Sequence, residues 1–246
     1  MAILTLAAPP LNLFDDALLC SLENAILELQ RLPPRALLIR ADGDVVSAGV
    51  DVHLFARLSA KTAAALFRRL IAITHAVEAL PFPTVFAAHG LCLTAAFELA
   101  LACDLILAAE TAHFGLVEQV VGITPAMGGT QRLAERAGTA RARELVMTGG
   151  RFNAATLNAW NVINRVLPDD GFDGAVLDFV RTLAQGPTRA HHATKRIIAV
   201  YLEGGVAAAD QTVPEVVGEL FDTKDTQNAI RTFLAVGPGK TAFRGH

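Results

Sequence analysis

From Leu93 to Ala109 the chain reads LTAAFELALACDLILAA, and Glu98 sits in the middle of that apolar run. Without the acid this would be an ordinary buried segment. With it the fold is constrained, because an ionised carboxylate costs several kcal/mol to bury unless it is partnered or used. Glu118 repeats the problem in FGLVEQVVG, where Phe114, Leu116, Val117, Val120 and Val121 surround another lone acid. Each carboxylate taken alone can cap a helix or meet an arginine such as Arg132. Taken together, two acids in two apolar settings point to one site.

The chain has core enough to enclose such a site. Of its 246 residues 52% are hydrophobic and 18% charged, which places it among well-packed globular proteins, as one large domain or two small ones, and excludes disorder. A formal charge of −3 gives no general affinity for nucleic acid or an anionic membrane, so a polyanionic ligand must be held by local contacts. Cys20, Cys92 and Cys103 are odd in number, stand in apolar surroundings and form no CxxC pair. They read as core packing in a reducing interior, not as a disulfide framework. The start MAILTLAAPP has no basic lead, and no later segment gives a membrane-length apolar run, so the expected location is cytoplasmic and off the membrane. The histidines show no HExxH or paired i, i+4 spacing, and no metal site is expected.

Along the chain, Ile3–Leu6 reads as a short strand ended by Pro9 and Pro10. Asp15 or Asp16 can cap a helix whose apolar positions Leu18, Leu19, Leu22, Ile26 and Leu29 recur at three and four, before Pro33 and Pro34 stop it. ALLIRA is a buried strand, Asp42-Gly43-Asp44 a turn, and Ser47-Ala48-Gly49-Val50-Asp51 a loop whose small residues let another backbone approach. Ser59 caps a second helix through Leu80, and TVFAA is the next strand. This alternation argues for repeated ββα or βαβ units and against a helical bundle. From residue 129 helical spacing dominates, over GGTQRLAERAG, TARARELVMTGG, NAATLNAWN, GAVLDFVRTLAQ, TRAHHATKRIIAVYLEG and Val213–Leu234, with VINRVLP as one further strand. The division expected is a core over 1–190 and a helical region over 191–246. GITPAMGGT lacks the lysine of a phosphate-binding loop, and no GxGxxG follows a strand, so its expected role is that of a helix start.

The stretch GLCLTAAFELALACDLILAAETAHFGLVEQVVGITPAMGGTQRL resembles the signature of the enoyl-CoA hydratase/isomerase (crotonase) family. A small-residue turn opens a short helix carrying ELALACD, a strand follows, then an FG-x-x-E turn, then a glycine-rich turn into GGTQRL, in that order and spacing. The resemblance runs from PPLNLF through SAGVD to GPGKTAFRG, nearly the whole chain. It implies an α/β fold, a crotonase-like spiral of ββα units with a C-terminal helical region that mediates trimer contacts. A homotrimer or a dimer of trimers is therefore expected. It also implies an acyl-CoA thioester as substrate and no separate cofactor, since coenzyme A arrives as part of that substrate.

Adding water across the double bond of an enoyl thioester places negative charge on the carbonyl oxygen as an enolate, and two fixed donors there lower the barrier. The helix start Thr94-Ala95-Ala96 can supply one N–H and the SAGVD loop another. Carried over residue by residue, the resemblance puts these donors on the backbone N–H groups of Val50 and Ala95. It assigns the water to Glu98 and the α-carbon proton to Glu118. Substrate is expected against Ala48, Gly49, Val50, Asp51 and Leu54, with the backbone of Ala48 and Val50 at the adenine, and Lys240 and Phe243 closing over coenzyme A. His53, Phe55, Phe97, Met127 and Trp160 are candidate pocket walls beside a plainer reading as core.

Two departures from the family pattern stand at the site. Thr94, Ala95 and Ala96 occupy the place of three glycines, and Val117 replaces a proline before Glu118. Alanine keeps its N–H, but the extra methyls narrow the approach to the acyl group. Retention of both acids favours an enoyl-CoA hydratase. The alternatives are a Δ3,Δ2-enoyl-CoA isomerase using Glu118 alone and a non-catalytic acyl-CoA-binding homologue needing neither acid, because function sits in the site and not in the scaffold.

Overall fold

The structure, a computed structural model, describes residues 1–246. Five short apolar runs form one all-parallel sheet in the order β1 (Ala2–Leu6), β2 (Leu37–Ala41), β3 (Thr84–Ala88), β5 (Leu105–Ala109) and β8 (Arg165–Leu167). Every residue of β3 is buried, as a parallel strand covered on both faces requires. Helices return the chain between strands. Asp15 caps α1 (Asp16–Arg31) by accepting from Leu18 N–H at 2.8 Å, and the helix turns Leu19, Leu22 and Ile26 inward. Ser59 and Thr62 form a capping box at the start of α2 (Ala60–Glu78).

A second column of extended backbone runs beside this sheet. It begins with the bridges Phe14 to Val50 and Ser47 to Cys92, and continues through β4 (Leu91–Leu93), parallel to β6 (His113–Gly115), with β7 (Phe152–Asn153) antiparallel at its end. Each turn of chain thus lays one segment in each column and then a helix. The helix α3 (Ala95–Leu101) follows β4, and α4 (Gly129–Ala137) follows β6. This is the spiral of ββα units that the family resemblance implies. A strand as short as β7 carries no periodicity, which is why the sequence gives no sign of it.

Beyond α4 come α5 (Thr139–Thr148), α6 (Ala154–Ala159), α7 (Phe172–Gln185), α8 (Thr188–Gly218) and α9 (Lys224–Val236). The expectation of helix from Val213 to Leu234 is corrected. The chain leaves α8 at Gly218, makes a turn over Glu219–Asp222 and restarts at Lys224, where the Thr223 hydroxyl takes Thr226 N–H at 3.2 Å. Within α8, Gly205 breaks the helix at φ 72° and ψ −173°. A second correction concerns Cys20, which is exposed beside Arg69, whereas Cys92 and Cys103 are buried.

The last residues fold back onto the body. Asp225, buried, accepts from Arg244 N–H at 2.8 Å and Gly245 N–H at 2.6 Å, and Arg35 donates to the Phe243 carbonyl at 3.0 Å. The C-terminal region nonetheless leaves Val206, Phe221, Phe233, Leu234 and Val236 exposed. No helix is long and apolar enough to cross a membrane.

Candidate active site

Three neighbouring segments of the second column end at one edge, and each delivers a piece of the site. Ser47 N–H donates to Leu91 O at 3.0 Å and Leu93 N–H to Ser47 O at 3.1 Å, which locks the Ser47–Asp51 loop against β4. On the other side Thr94 N–H donates to Gly115 O at 2.9 Å, so the start of α3 lies beside the turn that carries Glu118. The ends of adjacent parallel strands are where ligands of α/β folds commonly sit.

The loop and the start of α3 approach more closely than two ordinary residues could. A Cβ on Gly49, whose φ is 117°, would lie 2.5 Å from Thr94 Oγ1. Around this contact the loop spends every backbone donor from Ser47 to Asp51 but one, while the first turn of α3 leaves its N–H groups, that of Ala95 among them, unspent. Ala48 N–H goes to Leu11 O, Gly49 N–H to Ser47 Oγ and Asp51 N–H to Phe14 O, whereas Val50 N–H and Ala95 N–H meet no acceptor. The carbonyls of Ala48 and Val50 likewise accept nothing. Thr94 itself adopts φ 46° and ψ −119°. A β-branched residue at positive φ is a genuine outlier, costing on the order of 1–3 kcal/mol.

The helix α3 has only seven residues, too few to stand alone, and all seven are buried. Its end is held by Arg136, whose guanidinium donates to the carbonyls of Leu101 and Cys103. Beyond it Asp104 accepts from Thr84 N–H at 2.8 Å and Lys195 at 2.9 Å, tying α3 to β3 and α8. Glu98 is therefore carried on a fixed mount.

Glu98 does find a partner, though not Arg132. The N–H groups of Met127 and Gly129 donate to its Oε2 at 2.8 and 2.6 Å, so the acid caps the open end of α4 from outside. Arg132 instead pairs with Glu78 of α2 through Nε at 2.6 Å and through Nη2. A Cβ on Gly129 would fall 2.7 Å from Glu98 Cγ, so the second glycine in PAMGGT makes room for the acid, while the first makes room for Arg132. Met127 and Gly129 are site residues that the sequence analysis treats only as a candidate wall and a helix start. Burial pushes Glu98 up to about 7, against the downward pull of the N–H groups of Gly129, Met127 and Ala126 and of the Arg132 charge.

Glu118 opens the turn Glu118–Val121 after β6, and neither of its buried carboxylate oxygens has a hydrogen-bond partner. Burial, and then the like charge of Glu98, push it up to about 7 as well. The charge of Glu98 thus reaches Glu118, which places the two acids in one electrostatic neighbourhood.

The other candidates are placed as follows. Asp51 accepts from His53 N–H at 2.9 Å, starting the short turn Val52–Phe55, where Leu54 is partly buried against the core. Phe97 and Phe114 stack in the core with ring centres 5.2 Å apart, and Phe55 meets Phe67 at 6.2 Å. Trp160 packs on Phe152 and under Arg141. Phe243 lines an apolar cavity of about 440 Å³ with Ile230, Phe233 and Leu234 of α9. That cavity contains no residue of the Ser47–Asp51 loop or of α3, so Phe243 lines a different hollow from the site those segments form.

A spiral of ββα turns with two buried acids beside a pair of unspent N–H groups defines a class, and comparison with known proteins agrees with it. The sequence profile of the enoyl-CoA hydratase/isomerase family matches residues 1–240. The Mycobacterium tuberculosis protein named "Probable enoyl-CoA hydratase EchA17" is 35% identical over 217 residues, 87% of this chain and 82% of its own length. Among solved structures, the enoyl-CoA hydratase of Bacillus anthracis superposes with a TM-score of 0.90 at 25% identity, covering 99% of this chain and 96% of that one. A Geobacillus kaustophilus enoyl-CoA hydratase subunit gives 0.92 at 27% identity, covering 99% and 94%. The chain belongs to the enoyl-CoA hydratase/isomerase, or crotonase, family.

Proposed function

We propose that this protein is an enoyl-CoA hydratase, adding water across the α,β double bond of an enoyl-CoA thioester. The observation that carries the reading is the pair of buried carboxylates, Glu98 and Glu118, both held near neutrality beside the unspent N–H groups of Val50 and Ala95. With both acids held near 7, the state with Glu98 ionised and Glu118 protonated is accessible at neutral pH. Glu98, oriented by Met127 and Gly129, takes a proton from water as the water oxygen bonds to the β carbon. Electron density moves to the thioester oxygen, where Val50 N–H and Ala95 N–H meet the developing charge. Glu118, its oxygens free, delivers the proton that completes the bond at the α carbon. The hydroxyl ends on the β carbon and the hydrogen on the α carbon, and no metal or separate cofactor enters the balance. Coenzyme A is part of the substrate, with its adenine at the free carbonyls of Ala48 and Val50. The exposed apolar residues of α8 and α9 support assembly with further copies, and the family resemblance makes that assembly a trimer or a dimer of trimers.

Glu98→Gln and Glu118→Gln separate this from the isomerase reading. Loss of general acid–base help typically costs about 10²–10⁴-fold. Hydration of crotonyl-CoA is expected to fall by that order in both variants, while any double-bond shift survives better in Glu98→Gln because it uses the other acid alone. Hydration at parental rate in either folded variant refutes the mechanism. A parent that binds acyl-CoA and turns over no enoyl thioester favours a binding protein.

A further inference from the structure

Thr94 is out of place by every local rule. It is 8% exposed, its Oγ1 is buried without a hydrogen-bond partner, and its backbone sits at φ 46° and ψ −119°. Buried hydroxyls are nearly always paired, so an orphan calls for an explanation such as a missing ligand. The backbone angles say where this one stands. At that ψ the Cα–Cβ bond of Thr94 nearly eclipses the peptide bond to Ala95, and the Ala95 N–H lies on the same side of the peptide as the Thr94 Cα. The Thr94 side chain therefore stands beside the Ala95 N–H. From there Oγ1 points across to Gly49, the residue before Val50, where a Cβ would lie 2.5 Å away. The hydroxyl sits between the two segments that hold the unspent N–H groups, and it has a proton with nothing in the protein to receive it.

We propose that the Thr94 hydroxyl is a third hydrogen-bond donor to the thioester oxygen, beside Val50 N–H and Ala95 N–H. This rests on the reading of the site as one for acyl-CoA thioesters, but not on which reaction follows. A glycine in this position would relieve the backbone and leave two donors. Threonine keeps the strain and adds a hydroxyl, which makes it a catalytic residue if it touches the substrate oxygen and a packing residue if it does not.

The discriminating measurement is the carbonyl stretch of bound, carbonyl-labelled butyryl-CoA, a saturated thioester that cannot be hydrated, in parent, Thr94→Val, Thr94→Ser and Thr94→Gly proteins. Valine keeps the shape and the branching and removes only the donor. Serine returns the donor, and glycine suits the positive φ should valine fail to fold. The parent is expected to lower the stretch on binding. Valine and glycine should give back part of that lowering, and serine should restore it. Loss of one such donor typically costs about 10²–10³-fold in kcat, so crotonyl-CoA hydration should fall at least about ten-fold in Thr94→Val, chiefly in kcat and not in KM. A Thr94→Val spectrum identical to the parent overturns the proposal and leaves the hydratase reading standing. A carbonyl shift that Thr94→Val partly gives back, in a parent that hydrates nothing, sinks the hydratase reading and leaves Thr94 as donor. A parent in which the carbonyl does not shift at all overturns both.

Discussion

Glu98→Gln should make the protein more stable at neutral and alkaline pH, even as it removes activity. Burial lifts the Glu98 carboxyl from 4.5 to about 7, a difference worth about 3 kcal/mol at 1.36 kcal/mol per pH unit. The sign follows from proton counting. As pH rises through the ordinary carboxylate range the unfolded chain gives up this proton, while the folded chain keeps it until about 7. In that window the folded state binds more protons, so stability falls with rising pH, and above it the whole penalty is in place. Glutamine never ionises, and its amide oxygen can still accept from Met127 N–H and Gly129 N–H.

The gain of Glu98→Gln over the parent should accordingly be about 1 kcal/mol at pH of about 5 and about 3 kcal/mol at pH of about 8. For a chain of this size that corresponds to a Tm raised by roughly 6–12 °C at the higher pH. Urea unfolding at both pH values, at one protein concentration so that assembly does not enter the comparison, measures it. Glu118→Gln should move the same way. The double variant should gain less than the sum, because part of the Glu118 shift is the Glu98 charge itself. A stability difference that does not change between the two pH values, or that favours the parent at the higher one, refutes desolvation as the cause.

Gly129→Ala places a methyl 2.7 Å from Glu98 Cγ and 3.0 Å from its Oε2, so the acid must shift. Because a misplacement of about 1 Å in a catalytic group can cost 10²-fold, kcat should fall by about that much while the protein stays folded; parental kcat counts against the role of this glycine. Light scattering or sedimentation should return three copies, or a multiple of three: the apolar residues exposed on α8 and α9 need cover, and the family resemblance sets the number. A monomer at micromolar concentration refutes that reading.

The sequence was most legible where a residue type has one structural solution. Continuous apolar runs became buried parallel strands, Asp15 and Ser59 became caps, and Glu98 was bound to have a partner. It was least legible where the partner is backbone. Arg132 is visible in a sequence as a cation four residues into a helix, whereas the N–H groups of Met127 and Gly129 that take the acid leave no side chain to read. Their trace is the pair Gly128-Gly129, whose second member must be bare because Glu98 fills the space. The break at Gly205 falls where the helical segment TRAHHATKRIIAVYLEG ends, but the one at Thr223 escaped, since one threonine inside helical spacing is compatible with an unbroken helix. Thr94 shows what a local rule can still reveal when it fails. Its backbone angles, its orphaned hydroxyl, the buried oxygens of Glu118 and the raised proton affinity of Glu98 each cost folding energy. All four violations converge at the edge where β4, β6 and the Ser47–Asp51 loop end. Violations scattered through a fold would be noise, but violations gathered at one edge are what a site built for a substrate's charge requires.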